Sequence, residues 1–257
     1  MHLVDTHIHL YADEFNDDRK CLIENAVSKG ISNFFLPNID SHSIQPMFDL
    51  CDAHPANCFP MMGLHPCSVK ENFKAEMDVI ESEFSKRKFY AVGEIGLDFY
   101  RDKTFIREQE EVFIRQLHLA HEMNLPVVIH SRESVDRIIE IIQRQKHLSI
   151  KGIFHCFSGD ENQAGEIIAM GMYLGIGGVL TFKNSGLDKV IEKIPLSNCV
   201  LETDAPYLAP APHRGKRNIP EYLSLIAEKL AEVKQVSIVE VAEKTTSNAL
   251  RIFNLLS

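Results

Sequence analysis

The chain has 257 residues, of which 45% are hydrophobic and 25% are charged, and its formal net charge is −9. This composition is typical of a globular protein, and the acidic excess argues against broad, nonspecific coating of nucleic acid, although a local basic pocket remains compatible with it. No apolar run approaches a membrane-spanning length, and the six cysteines form no Cys-x-x-Cys pair, so we expect reduced thiols and a cytoplasmic location.

Strand-like and helical stretches alternate along the chain. Residues 4–10 alternate apolar side chains with Asp5, His7 and His9, which is the period-two pattern of a strand. Short apolar runs predict further strands at 31–36, 58–64, 89–94, 126–130, 150–155, 172–177 and 199–204. Helical spacing of apolar residues fills the intervals, and Ser237 is predicted to cap the last helix.

Eight strands that alternate with helices predict an α/β fold, a single (β/α)8 TIM barrel over residues 1–257. A doubly wound open sheet is the alternative. That fold carries a glycine-rich phosphate loop after its first strand, which this chain lacks.

Metal-binding side chains end most of the predicted strands. They are His7 and His9 on strand one, Glu94 on strand four, His130 on strand five, His155 on strand six and Asp204 on strand eight. Because chemistry in TIM barrels lies at the carboxyl ends of the strands, we expect these side chains to meet at one rim. Each histidine taken singly is more often a hydrogen-bonded core or loop residue, but so many ligands at one rim suit two ions that share a carboxylate.

In this interpretation Glu94 bridges two divalent ions. His7, His9 and Asp204 hold one ion, and His130 with His155 holds the other. Imidazole ligands favour zinc, manganese or iron, whereas magnesium would suit a more loosely held site. Two such ions lower the pKa of a water shared between them, which indicates hydrolysis; Asp204 is then either the general base or purely a ligand.

Other polar residues are predicted to surround this core. Asp5 and Glu202 precede ligands by two positions on their own strands, so we expect them to orient ligand histidines from one layer deeper. His65, at the end of strand three, is predicted to act in catalysis by contacting a substrate phosphate or a leaving group. Charge runs are usually solvated surface, but cations beside a metal centre in an acidic chain predict a phosphate-binding set. That set is Arg101, Arg132, Ser158, Lys183, Arg214, Lys216 and Arg217.

Several of these motifs together resemble those of a known family. Residues 5–10, 93–98, 155–159, 201–208 and 214–218 are similar to motifs of the TatD-type metal-dependent deoxyribonucleases of the amidohydrolase superfamily, and the resemblance extends from residue 4 to about 254. It implies a barrel with a divalent-metal site, the same metal ligands, and 3′-to-5′ DNA exonuclease or related phosphoester hydrolase activity. Tyr11, where aspartate is common, and Asn38, where glycine is frequent, depart from the family pattern.

Three functions therefore compete at this point. The leading hypothesis is a nuclease that acts on single-stranded DNA ends, because a deep barrel mouth does not admit an intact duplex. The alternative is a hydrolase of small molecules, cleaving phosphoester, lactone or C–N bonds with the same metals. A non-catalytic metal-binding scaffold is the third, although a scaffold has no need of a metal-activated water. No membrane and no obligate protein partner is predicted.

Overall fold

Eight short parallel strands alternate with helices in the computed structural model, which describes residues 1–255. The strands are β1 (Leu3–Asp5), β2 (Ile31–Pro37), β3 (Cys58–Met61), β4 (Val92–Asp98), β5 (Val127–Arg132), β6 (Gly152–Phe154), β7 (Tyr173–Ile176) and β8 (Cys199–Leu201). The last two residues of the predicted domain, 256–257, lie outside the described residues.

An α-helix follows each strand, and one more helix comes after the last β/α unit. The helices are α1 (Arg19–Ser28), α2 (Ile44–Ala53), α3 (Phe73–Glu83), α4 (Ile106–Met123), α5 (Val135–Arg144), α6 (Glu161–Ala169), α7 (Leu187–Lys193), α8 (Leu223–Lys234) and α9 (Ile238–Ile252). The predicted cap is present, since the Ser237 hydroxyl accepts the Glu240 N–H at the start of α9. Across residues 1–255, no helix combines the length and apolar character needed to cross a membrane.

The strands close into a barrel. Parallel pairing joins β1 to β3 in one sheet and β4 to β8 in another. A bridge between Met62 and Val92 connects the two sheets at β3 and β4. At the other junction, Thr6 N–H donates to Leu201 O at 3.0 Å and Asp204 N–H donates to His7 O at 2.9 Å. The predicted (β/α)8 fold is confirmed.

One end of the barrel is filled by the C-terminal helix. Buried side chains from the strands, such as Val4, Phe35 and Val128, form an apolar layer with residues of α9 and the turn after it. The Phe253 ring stacks on that of Phe35 with centroids 3.6 Å apart. Because this helix seals the amino-terminal end, only the carboxyl end of the strands is available for a polar site.

The strand ends differ from the prediction at several of the ligands. Strand β5 continues past His130 to Arg132, and β8 stops at Leu201, so Asp204 lies in the loop after it. Strand β1 stops at Asp5, because the backbone beyond it bonds in turn to different neighbours rather than following one ladder. His7 and His9 therefore lie in the loop that follows. Strand β4 runs on to Asp98, so Glu94 lies in mid-strand and not at its end. The prediction was wrong here because sequence periodicity does not reveal which neighbouring strand supplies the pairing.

Gly96 permits this longer β4. Its φ is +138°, and a Cβ placed on it would lie 2.0 Å from the His130 carbonyl oxygen. We expect Gly96→Ala to lower the free energy of unfolding by at least about 2 kcal/mol, through backbone strain and a forced separation of β4 from β5. Urea denaturation followed by circular dichroism measures this change. Gly165→Ala in α6 is the matched control, because a Cβ there meets open space. A Gly96→Ala protein as stable as this control would contradict the argument.

Candidate metal centre

The loop after β1 is tied both to β2 and to the loop after β8 at the open end of the barrel. Ile8 N–H donates to Phe35 O at 3.1 Å, and His9 N–H donates to Ala205 O at 2.8 Å. The carboxylate of Asp5 accepts hydrogen bonds from Thr203, one from its N–H at 3.0 Å and one from its hydroxyl at 2.6 Å. Asp5 was predicted to orient a histidine ring; in the structure it instead fixes backbone, because its side chain reaches across to β8 and not up to the imidazoles.

Glu94 lies at the centre of the site, and its two oxygens face different histidines. Oε2 is 3.1 Å from His7 Nε2 and 3.7 Å from His9 Nε2. Oε1 is 2.9 Å from His130 Nδ1 and 3.4 Å from His155 Nε2. The carboxylate thus offers one oxygen to each pair of imidazoles, as a shared ligand between two ions would. The two pairs adjoin, since the His7 ring stacks on that of His155 with centroids 3.6 Å apart.

Asp204 completes the first of these groups. Its Oδ1 is 3.7 Å from His7 Nε2 and 3.6 Å from His9 Nε2. The residue has a φ of +58°, an uncommon backbone conformation for a side chain other than glycine, and it is held there by its hydrogen bond to His7 O. The structure therefore brings together all six of the side chains predicted to gather.

Three groups contact the outer nitrogens of these histidines. Glu202 Oε1 lies 3.1 Å from His155 Nδ1. Asp98 Oδ2 lies 2.9 Å from His130 Nε2. The Tyr11 hydroxyl lies 3.0 Å from His9 Nδ1. Only Glu202 was predicted to act in this way; Asp98 and Tyr11 were missed, although Asp98 ends the 93–98 motif and Tyr11 had been noticed as a departure.

His65 also reaches Glu94, with Nε2 at 3.3 Å from Oε1. Its Nδ1 accepts the backbone N–H of Cys67 at 3.0 Å. A neutral imidazole has one donor and one acceptor nitrogen, so the proton of His65 is on Nε2. Although His65, Glu94 and His130 present donor atoms within 4.8 Å of one another, a protonated Nε2 offers no lone pair to a metal. His65 is therefore a hydrogen-bond donor at the edge of the cluster.

The close packing of carboxylates and imidazoles shifts the pKa values of several side chains in the cluster. Burial opposes ionisation of Glu94, but the neighbouring His65, His7 and His155 outweigh it and hold the pKa of that carboxyl well below its usual range. Burial likewise opposes ionisation of Asp204, whose pKa is nonetheless lowered, chiefly by the neighbouring His9 and His155 side chains. For His155, burial disfavours the cation, yet Glu202 and Glu94 raise its pKa to about 10. Both carboxylates are therefore ionised at neutral pH, and a metal ion must displace a proton from His155.

The residues present fit a divalent cation. Two imidazole nitrogens, His7 Nε2 and His9 Nε2, converge to 3.3 Å with a carboxylate oxygen on either side. This mixture of nitrogen and anionic oxygen donors is characteristic of zinc, manganese and iron sites. The second group, His130 and His155 on the other oxygen of Glu94, has the same donor chemistry.

The predicted phosphate-binding residues occupy different settings at the rim. Arg132 and Ser158 line a cavity of about 570 Å³ between the loops after β5 and β6. Arg101, Lys183 and Lys216 are exposed. Arg217, in contrast, is paired with Asp18 and donates to Glu14 O at 2.6 Å, so it fastens the loop after β8 to the start of α1. The Arg217 guanidinium therefore binds groups of the protein in this structure, whereas the sequence predicted that it would bind phosphate.

Aromatic side chains accompany the rim cations. The Arg132 guanidinium lies over the Tyr100 ring at 3.9 Å, and that of Arg214 lies over Phe182 at 4.5 Å. Tyr100 is 57% exposed. Tyr207, which is 45% exposed, packs edge-on against the His9 ring with centroids 5.7 Å apart. The metal centre therefore opens into a mouth bordered by flat, accessible rings and positive charge.

Known proteins are similar to this chain along nearly its whole length. The family model described as TatD-related DNase matches residues 4–254. An uncharacterized metal-dependent hydrolase of Bacillus subtilis, YabD, is 35% identical over 254 residues, which cover 98% of this chain and 99% of that protein. The 3′-5′ ssDNA/RNA exonuclease TatD of Pectobacterium carotovorum is 30% identical over 259 residues, covering 98% of this chain and 100% of that enzyme.

The fold has a solved counterpart. The crystal structure of YjjV, a TatD homologue from Escherichia coli, superimposes with a TM-score of 0.93 at 28% identity, covering 99% of this chain and 98% of that chain. The similarity in sequence and the similarity in fold thus extend over the same residues.

Proposed function

The chain belongs to the TatD-related DNase family of metal-dependent hydrolases, and from that membership we propose that it is a 3′-5′ exonuclease that hydrolyses phosphodiester bonds at the ends of single-stranded DNA. The observation that carries the proposal is the position of Glu94, whose two oxygens face different histidine pairs at the open mouth of the barrel. The relative from Pectobacterium carotovorum, named as a single-strand exonuclease, supports the same activity.

In this proposal the chain holds two divalent ions. His7, His9 and Asp204 would bind one, and His130 with His155 would bind the other, with Glu94 shared between them. Zinc, manganese or iron suits these ligands better than magnesium. When bound, the ions supply an activated water and positive charge for a phosphoryl oxygen.

Asp204 acts as the proton acceptor. Its lowered pKa keeps the carboxylate ionised at neutral pH, so it is free to take a proton from the attacking water. Its Oδ1 lies within 3.7 Å of both His7 Nε2 and His9 Nε2, which places the acceptor beside the ligands of the first ion. The hydrogen bond from its backbone to His7 O holds this position.

His65 acts on the substrate instead of on a metal. Its Nε2–H points toward the cluster because the Cys67 N–H occupies Nδ1. A donor placed there stabilises negative charge on a phosphoryl or leaving-group oxygen as the bond breaks. This role agrees with the one expected for the end of strand three.

The mouth favours a nucleic acid over a small phosphorylated metabolite. Exposed rings stack with bases of any sequence, and the adjacent guanidinium groups pair with backbone phosphates. Tyr100 with Arg132 provides such a combination, and Tyr207 is a second exposed ring, packed against His9. A metabolite that fits within the cluster would make no use of these exposed rings.

We expect Tyr100→Ala to lower kcat/KM for a single-stranded oligonucleotide by an amount equivalent to about 1–3 kcal/mol, the usual contribution of one base stack. Arg132→Ala should lower it as well, through the loss of a contact to a backbone phosphate. Hydrolysis of bis(p-nitrophenyl) phosphate, which is too short to extend from the cluster along the rim, should be nearly unchanged. Arg251→Ala is the matched control, since Arg251 is an exposed arginine on α9 at the sealed end of the barrel. Equal losses on both substrates would show that the rim acts on the chemistry and not on strand binding.

The function itself is tested with oligonucleotides labelled at either end, incubated with the protein and manganese, zinc or magnesium. Stepwise shortening from the 3′ end supports the proposal. Intact DNA together with turnover of lactones or phosphomonoesters would identify the small-molecule hydrolase instead. No turnover of any substrate, with no metal retained after dialysis, would favour the scaffold.

A further inference from the structure

The Tyr11 hydroxyl connects the metal centre to the backbone of β2. It lies 3.0 Å from His9 Nδ1 and donates to Pro37 O at 2.5 Å. The tyrosine is buried, and its ring packs within the main hydrophobic core. The ring is therefore held firmly, and the hydroxyl has a defined position between two fixed partners.

The direction of both hydrogen bonds follows from the chemistry of the partners. A carbonyl oxygen accepts hydrogen bonds and cannot donate, so the single hydroxyl proton of Tyr11 is used on Pro37. The contact to His9 then requires His9 Nδ1 to be the donor. In the neutral imidazole this leaves Nε2 without a proton, and Nε2 is the nitrogen that faces Glu94 and Asp204.

We infer that Tyr11 is a positioning residue that fixes the tautomer and ring orientation of His9, and so prepares one ligand of the first metal ion before the ion arrives. The inference rests on the proposed function only in assigning that ion to His9. It concerns a residue of this chain that takes no part in the bond-breaking step.

The neighbouring histidines show why this contact matters. His65 is held as the opposite tautomer by the Cys67 N–H, and its Nε2 carries the proton. His130 has a carboxylate, Asp98, on its outer nitrogen. The outer nitrogen of His9 contacts the Tyr11 hydroxyl, which is an uncharged hydrogen-bond acceptor, unlike the Asp98 carboxylate beside His130. Removing the hydroxyl would leave the His9 ring free to take either tautomer, one of which turns an N–H toward the metal position.

The test compares Tyr11→Phe, which removes only the hydroxyl, with Tyr90→Phe. Tyr90 is a partly buried tyrosine that packs edge-on against Phe35 and Phe59, away from the metal centre. Nitrogen NMR of the metal-free proteins, with the His9 signals identified by their loss in His9→Asn, reports the tautomer directly. We expect a protonated Nδ1 and an unprotonated Nε2 in the wild-type protein and in Tyr90→Phe, and a mixture in Tyr11→Phe.

Calorimetric titration with manganese gives the second readout. Affinity should fall roughly 10- to 100-fold in Tyr11→Phe, as is usual when a partner of a ligand histidine is lost, and should stay at the wild-type value in Tyr90→Phe. Unchanged nitrogen signals and unchanged affinity in Tyr11→Phe would overturn the inference. A wild-type protein that binds no manganese would instead reject the proposed function, and the tautomer measurement would still stand.

Should Tyr11→Phe fail to fold, genetic incorporation of a ring-fluorinated tyrosine at position 11 keeps the test decisive. Fluorination retains the ring and the hydroxyl but makes the oxygen a weaker acceptor. A shift of the His9 nitrogen signals toward the other tautomer supports the inference, and signals identical to those of the wild-type protein contradict it.

Discussion

Asp204→Asn is expected to reduce hydrolysis of single-stranded DNA by roughly 10²–10⁴-fold, the range associated with loss of a general base. Asparagine has almost the same shape and keeps one carbonyl oxygen near His7 and His9, so the fold should be retained. The amide cannot accept a proton from water at neutral pH, and that is the property removed. Initial rates on a 3′-labelled oligonucleotide under saturating manganese measure the effect.

Asp17→Asn provides the control for the charge change. Asp17 is an exposed aspartate on the loop between β1 and α1, on the same end of the barrel, and its replacement should leave the rate unaltered. Circular dichroism and manganese titration of Asp204→Asn separate loss of the acceptor from loss of structure or metal. A variant that retains wild-type turnover would show that Asp204 serves purely as a ligand or not at all.

Glu94→Gln should have the broadest effect on metal binding. The shared carboxylate contributes an anionic oxygen to each histidine group, whereas an amide has one neutral oxygen and an NH2 that points its protons at the other group. We expect affinity for manganese to fall by more than about 100-fold, beyond the effect usual for a residue that only supports a ligand. Calorimetry measures the affinity and the number of ions bound.

Thermal unfolding gives an independent measure of the same loss. An ion that binds only the folded state raises Tm, so added manganese should stabilise the wild-type protein and fail to stabilise Glu94→Gln. Glu133→Gln, at an exposed glutamate in the loop after β5, should respond like the wild type. Normal stabilisation of Glu94→Gln by manganese would place the ions somewhere other than on this carboxylate.

The architecture was predictable because it depends on a pattern that the chain repeats. Apolar runs separated by helical spacing indicate alternating strands and helices, and a barrel places the carboxyl ends of all strands at one rim. This is why His7 and Asp204, almost two hundred positions apart, were expected to meet. The end of β4 was not predictable, because it depends on how closely Gly96 approaches His130.

The supporting contacts of the site were harder to predict than its ligands. Asp98 reaches His130 because β4 continues two residues beyond Gly96, and sequence periodicity does not show this. The role of Tyr11 depends on the position of the Pro37 carbonyl on a different strand. The assignment of Asp5 to a histidine ring failed for a related reason: an inward side chain on a strand can turn sideways to the neighbouring strand as well as upward.

The junction between the first and last strands has a consequence for biosynthesis. Asp5 is linked to Thr203, 198 positions further along the chain, and that link sets the spacing between the first two histidines and Asp204. A ribosome must therefore translate through the eighth strand before any hydrolytic centre can exist. Incomplete chains, whether still on the ribosome or released early, carry the histidines without the acceptor, so the proposed activity would begin only when the polypeptide closes on itself.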